Sequence, residues 1–247
     1  MNEILGKIAI ITGASGGIGA ATALNFAREG AGGIVIADLD SENAKVTINN
    51  IMKETNCRCE FIKINIGKKD DIENLFNRTI GLFSRLDILV NCAGICNKLT
   101  IEEIDQKQWE NVLSVNLTGT YLCSREALKI MKKQFSGKII NVSSISGRIG
   151  GIAAGIDYCT TKGGIIALTK SLAKIAGPYH INVNAVAPGF INTEMAKLFT
   201  HFDPETVPLR RLGQPEDVAY LITFLSSEKS SYITGITIDI NGGLYMN

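Results

Sequence analysis

Tyr158 and Lys162, four residues apart in YCTTK (158–162), carry a phenol and an ammonium. If the segment is helical, both side chains lie on one face and reach into the same space. A free tyrosine titrates near 10, about three units above neutral pH, which corresponds to roughly 4 kcal/mol. A nearby cation stabilises phenolate, so the lysine is expected to draw the phenol toward the working range and make it usable as both acid and base. The matching chemistry is proton exchange with an oxygen on a carbon that is being reduced or oxidised. Ser144 follows the apolar run GKIINVS (137–143), where its hydroxyl can donate to an oxygen on which charge develops. In isolation, Ser143 and Ser144 read as turn serines and YCTTK as a chance pairing on an amphipathic helix, so other segments must decide.

The glycine loop TGASGGIG (12–19) is the first of these. Gly13, Gly17 and Gly19 have the spacing GxxxGxG, directly after an apolar run and at the start of a helical pattern. Glycines let the backbone turn tightly and approach a pyrophosphate, and the helix N-terminus offers N–H donors. Asp38 stands nineteen residues after Gly19, at the end of the second apolar run. A carboxylate there can accept from a ribose 2′-OH but repels a 2′-phosphate, which favours NAD(H) over NADP(H). Gly16 occupies a position where a basic side chain could pair with that phosphate, and the nearest cation downstream is Lys45. Taken separately, the loop also reads as a ligand-free tight turn and Asp38 as a solvated strand end.

The elements that must position these residues are visible as alternating patterns. Seven short β-branched runs, at 7–12, 33–38, 59–65, 86–91, 137–143, 181–187 and 236–241, read as strands. Runs apolar on both faces and separated by helical periodicity predict a parallel sheet covered on each side. Helices are expected over 17–30, 41–55, 69–84, 106–134, 157–176 and 215–226. The fold class is therefore α/β: a Rossmann-like, doubly wound seven-stranded parallel sheet with helices on both faces. The whole chain, 1–247, reads as a single dinucleotide-binding oxidoreductase domain, with 188–212 an irregular segment suited to a substrate lid.

Bulk properties narrow the class. With 247 residues, 45% of them hydrophobic, and a net charge of +1, the chain gives no electrostatic reason to bind nucleic acid or an anionic membrane. No secretory leader or membrane span is expected. The six cysteines lack zinc-type spacing, so no metal is expected, and reduced thiols in a cytoplasmic protein fit best.

These motifs together resemble the short-chain dehydrogenase/reductase family along the whole chain. TGASGGIG is similar to its cofactor loop, NCAG (91–94) to its post-strand turn and VNLTG (115–119) to the segment carrying its central-helix asparagine. NVSS with YCTTK resembles its active site, and APGFINTEM (187–195) its nicotinamide-side loop. The resemblance implies that Tyr158 donates or accepts the proton and that Ser144 holds the substrate oxygen. It also implies that Lys162 binds the nicotinamide ribose and biases the tyrosine, and that Asn116 positions a water linking the lysine to solvent. Cofactor contacts are implied for Gly13, Ser15, Gly17, Ile18, Gly19, Asp38, Asn65, Asn91, Ala93, Gly94, Tyr158, Lys162, Pro188, Gly189, Ile191 and Thr193. Cys92 replaces a second asparagine common in the family. Asn65 stands where an aspartate commonly meets the adenine amino group, and its carbonyl can still accept that bond.

RRLGQPEDVA (210–219) and SYITGITIDINGGLYM (231–246) are most similar to the 3-oxoacyl-(acyl-carrier-protein) reductase branch, implying reduction of a 3-oxoacyl thioester, a carrier protein as a possible partner and a homotetramer. Members that dock a carrier tend to have arginines at two sites where this chain has Phe135 and Tyr179, with Lys132, Lys133 and Lys138 as substitutes. An NAD-dependent dehydrogenase of a sugar, diol, steroid or other secondary alcohol stays open, favoured by the apolar Met195, Leu198, Phe199 and Phe202 of the lid. A dinucleotide sensor without turnover is the third reading, disfavoured because Ser144, Tyr158 and Lys162 are all present. His180 and His201 read as surface or turn residues, Lys132 and Lys133 as a solvated helix end, and Trp109 as packing.

Overall fold

The protein is described by a computed structural model covering residues 3–151, 154–199 and 202–246. All seven expected strands form: β1 (Ile8–Thr12), β2 (Gly33–Asp38), β3 (Cys59–Lys63), β4 (Ile88–Asn91), β5 (Gly137–Val142), β6 (Ile181–Pro188) and β7 (Thr237–Ile240). They pair in parallel in the order β3-β2-β1-β4-β5-β6-β7. The helices are α1 (Gly17–Arg28), α2 (Ser41–Glu54), α3 (Lys69–Phe83), α4 (Gln106–Leu113), α5 (Thr120–Gln134), α6 (Ser146–Ile149), α7 (Ile156–Ala176) and α8 (Pro215–Ser226).

Strand alternation sorts the apolar side chains into two cores. Ala9 and Ile11 of β1 pack with Phe26, Ile51 and Ile222 of α1, α2 and α8. Ile10, between them, faces the other side with Leu75, Met131 and Leu172 of α3, α5 and α7. Each Ile, Leu, Met or Phe side chain removed from water contributes about 1.5–3 kcal/mol, so the sheet is held from both faces. Helix starts follow local chemistry: the Asp40 carboxylate accepts from the Glu42 and Asn43 amides at the head of α2, and Gln214 with Asp217 forms a capping box ahead of Pro215 in α8.

One expected helix, 106–134, is three pieces. Between α4 and α5 the chain widens into a π-helical stretch, Ser114–Gly119. There the Thr120 hydroxyl donates to the Asn116 carbonyl at 2.7 Å, and a methyl added at Gly119 would sit 2.7 Å from the Ile66 carbonyl oxygen. Such widened turns recur at functional sites, and apolar periodicity does not register them. The segment 188–212 is also less irregular than expected, with 3₁₀ turns at Glu194–Leu198 and Pro204–Thr206. Ile191 bridges to Gly213, closing the base of this excursion.

Strand order reverses between β1 and β4, both of which end beside the same crevice. In open α/β sheets that reversal is where ligands bind.

Candidate active site

The glycine loop leaves β1 at the crevice. Gly13 has φ +69°, and a methyl there would lie 2.7 Å from Ala93 Cα. One on Gly19 would collide with the Gly13 carbonyl. The turns after β1 and β4 are thus packed backbone to backbone, tied further by Thr12, whose hydroxyl accepts from the Cys92 and Ala93 amides at 3.1 and 3.2 Å. A methyl on Gly16 would meet nothing within 4 Å, and no side chain caps the N-terminus of α1. The amides of the first turn therefore face open space, a fit for a phosphate. Thr193 lies over Gly17, where an added methyl would come within 3.1 Å of the threonine methyl.

Asp38 lies beside this loop. Its Oδ2 accepts from the Ser15 amide at 3.0 Å, and its Oδ1 from Leu39 and Asp40 at 2.7 and 3.2 Å. A carboxylate bonded to the phosphate-side loop can accept from the hydroxyls of an adenosine ribose. Glycine cradle, open helix end and carboxylate together fit a dinucleotide.

The other predicted contacts are held by their own packing and backbone bonds. Ile18 packs partly against the first core. Pro188 and Gly189 use their backbones to tie the turn after β5 and the end of β7, with Ile145 N–H to Pro188 O at 2.8 Å and Gly189 N–H to Ile240 O at 3.0 Å. Ile191 is buried. The Asn91 side chain turns into the core, donating to Ser124 Oγ at 3.1 Å and Asn141 Oδ1 at 2.8 Å, so a cofactor contact at this position falls to its backbone. Period-two alternation places the side chain on the side of α5 and α7. The Asn65 carbonyl, expected to accept from adenine, accepts from the Gly67 amide at 3.0 Å, closing an Asx turn.

The second half of the site sits at the ends of β4 and β5. Tyr158 and Lys162 share one buried face of α7, with Lys162 Nζ 5.5 Å from the phenol ring centroid. Ser144 stands near enough to Tyr158 to draw its phenol down, and its Oγ accepts from the Ser146 amide at 3.1 Å. Lys162 Nζ donates to the Val142 carbonyl at 2.8 Å, and Ser143 Oγ donates to the Lys162 carbonyl at 2.7 Å. A methyl on Gly94 would lie 3.4 Å from Asn116 Oδ1 and 3.5 Å from Lys162 Nζ, so the β4 turn borders both. The Asn116 side chain accepts from the Ile95 amide at 2.8 Å and donates to its carbonyl at 2.9 Å. Asn116 thereby clamps the loop after β4.

The electrostatics reverse one expectation. Burial pushes the Tyr158 phenol above its ordinary value, outweighing the downward pull of Ser144. Burial also lowers Lys162 to about 8. The lysine does not acidify the phenol here, because desolvation disfavours charge on both groups. At neutral pH the phenol keeps its proton. The thiols of Cys92 and Cys96, also lifted by burial to about 11, stay neutral.

Sequence reasoning missed Thr12, Ser143 as a lock on α7, and the Asn97–Asp157 pair, whose Nδ2–Oδ2 distance is 2.7 Å. None belongs to a periodic pattern; each is a single polar residue at an element end. His180 is a turn residue at φ +56°, and His201 lies outside the described residues. Lys138 is buried and bonded to Asn182 at 2.7 Å, so it is no surface substitute for a docking arginine. Among the described residues no cluster of His, Cys, Asp or Glu could hold a metal ion, and no helix is long and apolar enough to cross a membrane.

Comparison with known proteins places this geometry among relatives. Residues 13–245 match the family described as enoyl-(acyl carrier protein) reductase. A 3-oxoacyl-(acyl-carrier-protein) reductase FabG of Aquifex aeolicus is 39% identical over 247 residues, 98% of this chain and 99% of that one. A 3-oxoacyl-(acyl-carrier-protein) reductase of Synechocystis is 37% identical over the full length of both. The crystal structure of a short-chain type dehydrogenase/reductase from Mycobacterium marinum superposes with a TM-score of 0.95 at 32% identity, covering 99% of this chain and 98% of that one.

Proposed function

The chain belongs to the short-chain dehydrogenase/reductase family, and from that premise we propose that it reduces a 3-oxoacyl thioester to the 3-hydroxyacyl form with NADH. The observation that carries this reading is the gathering of buried Ser144, Tyr158 and Lys162, with the ammonium 5.5 Å from the phenol ring centroid, next to a glycine cradle that fits a dinucleotide. The names of the full-length relatives support the choice of substrate.

Gly13, Ser15, Gly17, Gly19 and Asp38 would hold the adenosine and pyrophosphate half of the cofactor, with Gly94, Lys162 and Thr193 toward the nicotinamide. When bound, the cofactor supplies hydride to the carbonyl carbon. The protein's part is positioning and proton supply. Ser144 Oγ donates to the substrate oxygen, and Tyr158 Oη hands its proton to the same oxygen as negative charge builds there. A phenol raised by burial is protonated at neutral pH, the state in which it can donate. Lys162, charged below about pH 8, then balances the phenolate left behind. The 188–212 segment serves as the lid within a single domain, with Phe190 stacked on Phe202 at 3.6 Å between ring centroids and a base closed by the Ile191–Gly213 bridge.

The reading extends to a cytoplasmic homotetramer. Large apolar side chains left exposed on α5 and α7, Tyr121 and Ile175, and near the C-terminus, Tyr232, Ile236 and Met246, support self-association. For a carrier-borne substrate, the docking surface is Phe135, Tyr179 and Lys132, whose rings lie 5.7 Å apart with the ammonium 4.6 Å over the Tyr179 ring.

A panel of acetoacetyl thioesters, sugars, diols and steroids, run with both cofactors, tests the proposal. NADH-dependent consumption of the thioester is expected, and turnover of only a non-thioester alcohol would replace it with the secondary-alcohol reading. In Asp38→Ala, the NADH-over-NADPH preference in Kd is expected to shrink; an unchanged ratio overturns the charge argument.

A further inference from the structure

We propose that Asp157, held by Asn97, is a positioning residue for proton transfer by Tyr158. The inference rests on the reading of Tyr158 as the proton donor. Asp157 is completely buried. Its Oδ1 accepts from the Tyr158 amide at 2.7 Å, and its Oδ2 accepts from Asn97 Nδ2 at 2.7 Å. A buried carboxylate is costly unless its oxygens are answered. Among the described residues no lysine or arginine pairs with this one; two amides and the positive end of α7 answer it instead.

The surroundings are built around this pair. Gly155, the N-cap of α7, makes no side-chain cap. Any side chain there would collide with Asn97 Oδ1 and come within 2.6 Å of Asp157 Oδ1. The Gly155 amide donates to the Asn97 carbonyl at 3.0 Å, and Asn97 Oδ1 accepts from Leu99 at 3.0 Å. Two residues earlier in the same loop, Asn116 holds both backbone groups of Ile95. The stretch 95–99 is thus strung between the π-helical turn on one side and the first turn of α7 on the other. The carboxylate at its α7 end grips the backbone of Tyr158 itself. Hydrophobic packing would suffice to dock a loop; a buried carboxylate on the amide of the reacting residue fixes where that residue's phenol stands.

The test uses full-length Asp157→Ala, Asp157→Asn and Asn97→Ala, assayed with acetoacetyl thioester and NADH, with NADH affinity measured by fluorescence. Displacement of a reacting group by an ångström costs about 100-fold, so kcat of Asp157→Ala is expected to fall about 30- to 100-fold. KM and the NADH Kd are expected to stay within about threefold. Asp157→Asn, which keeps an acceptor for the Tyr158 amide, should recover most of kcat. Asn97→Ala should fall in the same direction as Asp157→Ala. A kcat for Asp157→Ala within about threefold of wild type, or a loss shared equally by kcat and NADH affinity and not restored by asparagine, overturns the proposal. Should Asp157→Ala fail to fold, Asn97→Ala, which removes one bond and leaves the other, decides by the same criteria. Tyr158→Phe separates the two readings: an inactive Tyr158→Phe beside a normal Asp157→Ala sinks the positioning role alone, whereas an active Tyr158→Phe sinks both.

Discussion

Lys162 shows how burial sets the protonation state at a single residue. It is almost fully buried, and its amine is lowered from 10.5 to about 8 by desolvation. Between those values the unfolded chain holds a proton that the folded protein has released, so stability contributed by this group rises with pH through that window and is lost as pH falls back from 10.5 to about 8. In wild type compared with Lys162→Met, the difference in unfolding free energy is expected to move in favour of wild type by about 1 kcal/mol between about pH 7.5 and pH 9. Thiol titrations occur in both proteins and cancel. Denaturant melts at the two pH values measure the shift, and a flat difference would mean the amine is not desolvated. The phenol beside it illustrates where reading residues in isolation fails. Spacing alone reveals that Tyr158 and Lys162 meet, but the sign of the tyrosine's shift depends on how much water the fold removes, and sequence spacing carries no record of that.

At the scale of elements, strands and the glycine loop were legible because their causes are local. Short uninterrupted runs rich in β-branched residues and bounded by turns favour strands buried on both faces, and glycine at positions 13 and 19 marks places where backbone meets backbone. Gly19→Ala should therefore cost about 1–3 kcal/mol in overpacking and weaken NADH binding, since its new methyl collides with the Gly13 carbonyl. Thermal melts and NADH titration check both effects, and wild-type values in either would show that the loop yields freely. The widened turn at Ser114–Gly119 was hidden because its cause is not local. It arises where Asn116 reaches Ile95, twenty-one residues away, and where Gly119 abuts Ile66. The direction of the Asn91 side chain was hidden for a related reason: its position in the motif pointed to the crevice, whereas strand alternation sends the side chain into the polar ladder of Ser124, Asn141 and Thr169 inside the core. Asp157 left no periodic trace at all, being one acid among the twenty-four Asp and Glu residues of the chain.

Over the whole molecule, the order of strands brings together segments that are far apart in sequence. The turns after β1, β4 and β5, the first turns of α7 and the base of the 188–212 excursion all converge at one edge of the sheet. A net charge of +1 offers no long-range steering, so recognition rests on this crevice and its lid. The account depends on Tyr158 delivering a proton there to a carbonyl oxygen. Single-turnover stopped flow, with NADH and an acetoacetyl thioester, compares wild type with Tyr158→Phe while fluorescence follows NADH binding. Equal NADH affinity with reduction slowed by about 10²- to 10⁴-fold is the predicted result. Reduction by Tyr158→Phe at the wild-type rate would contradict it.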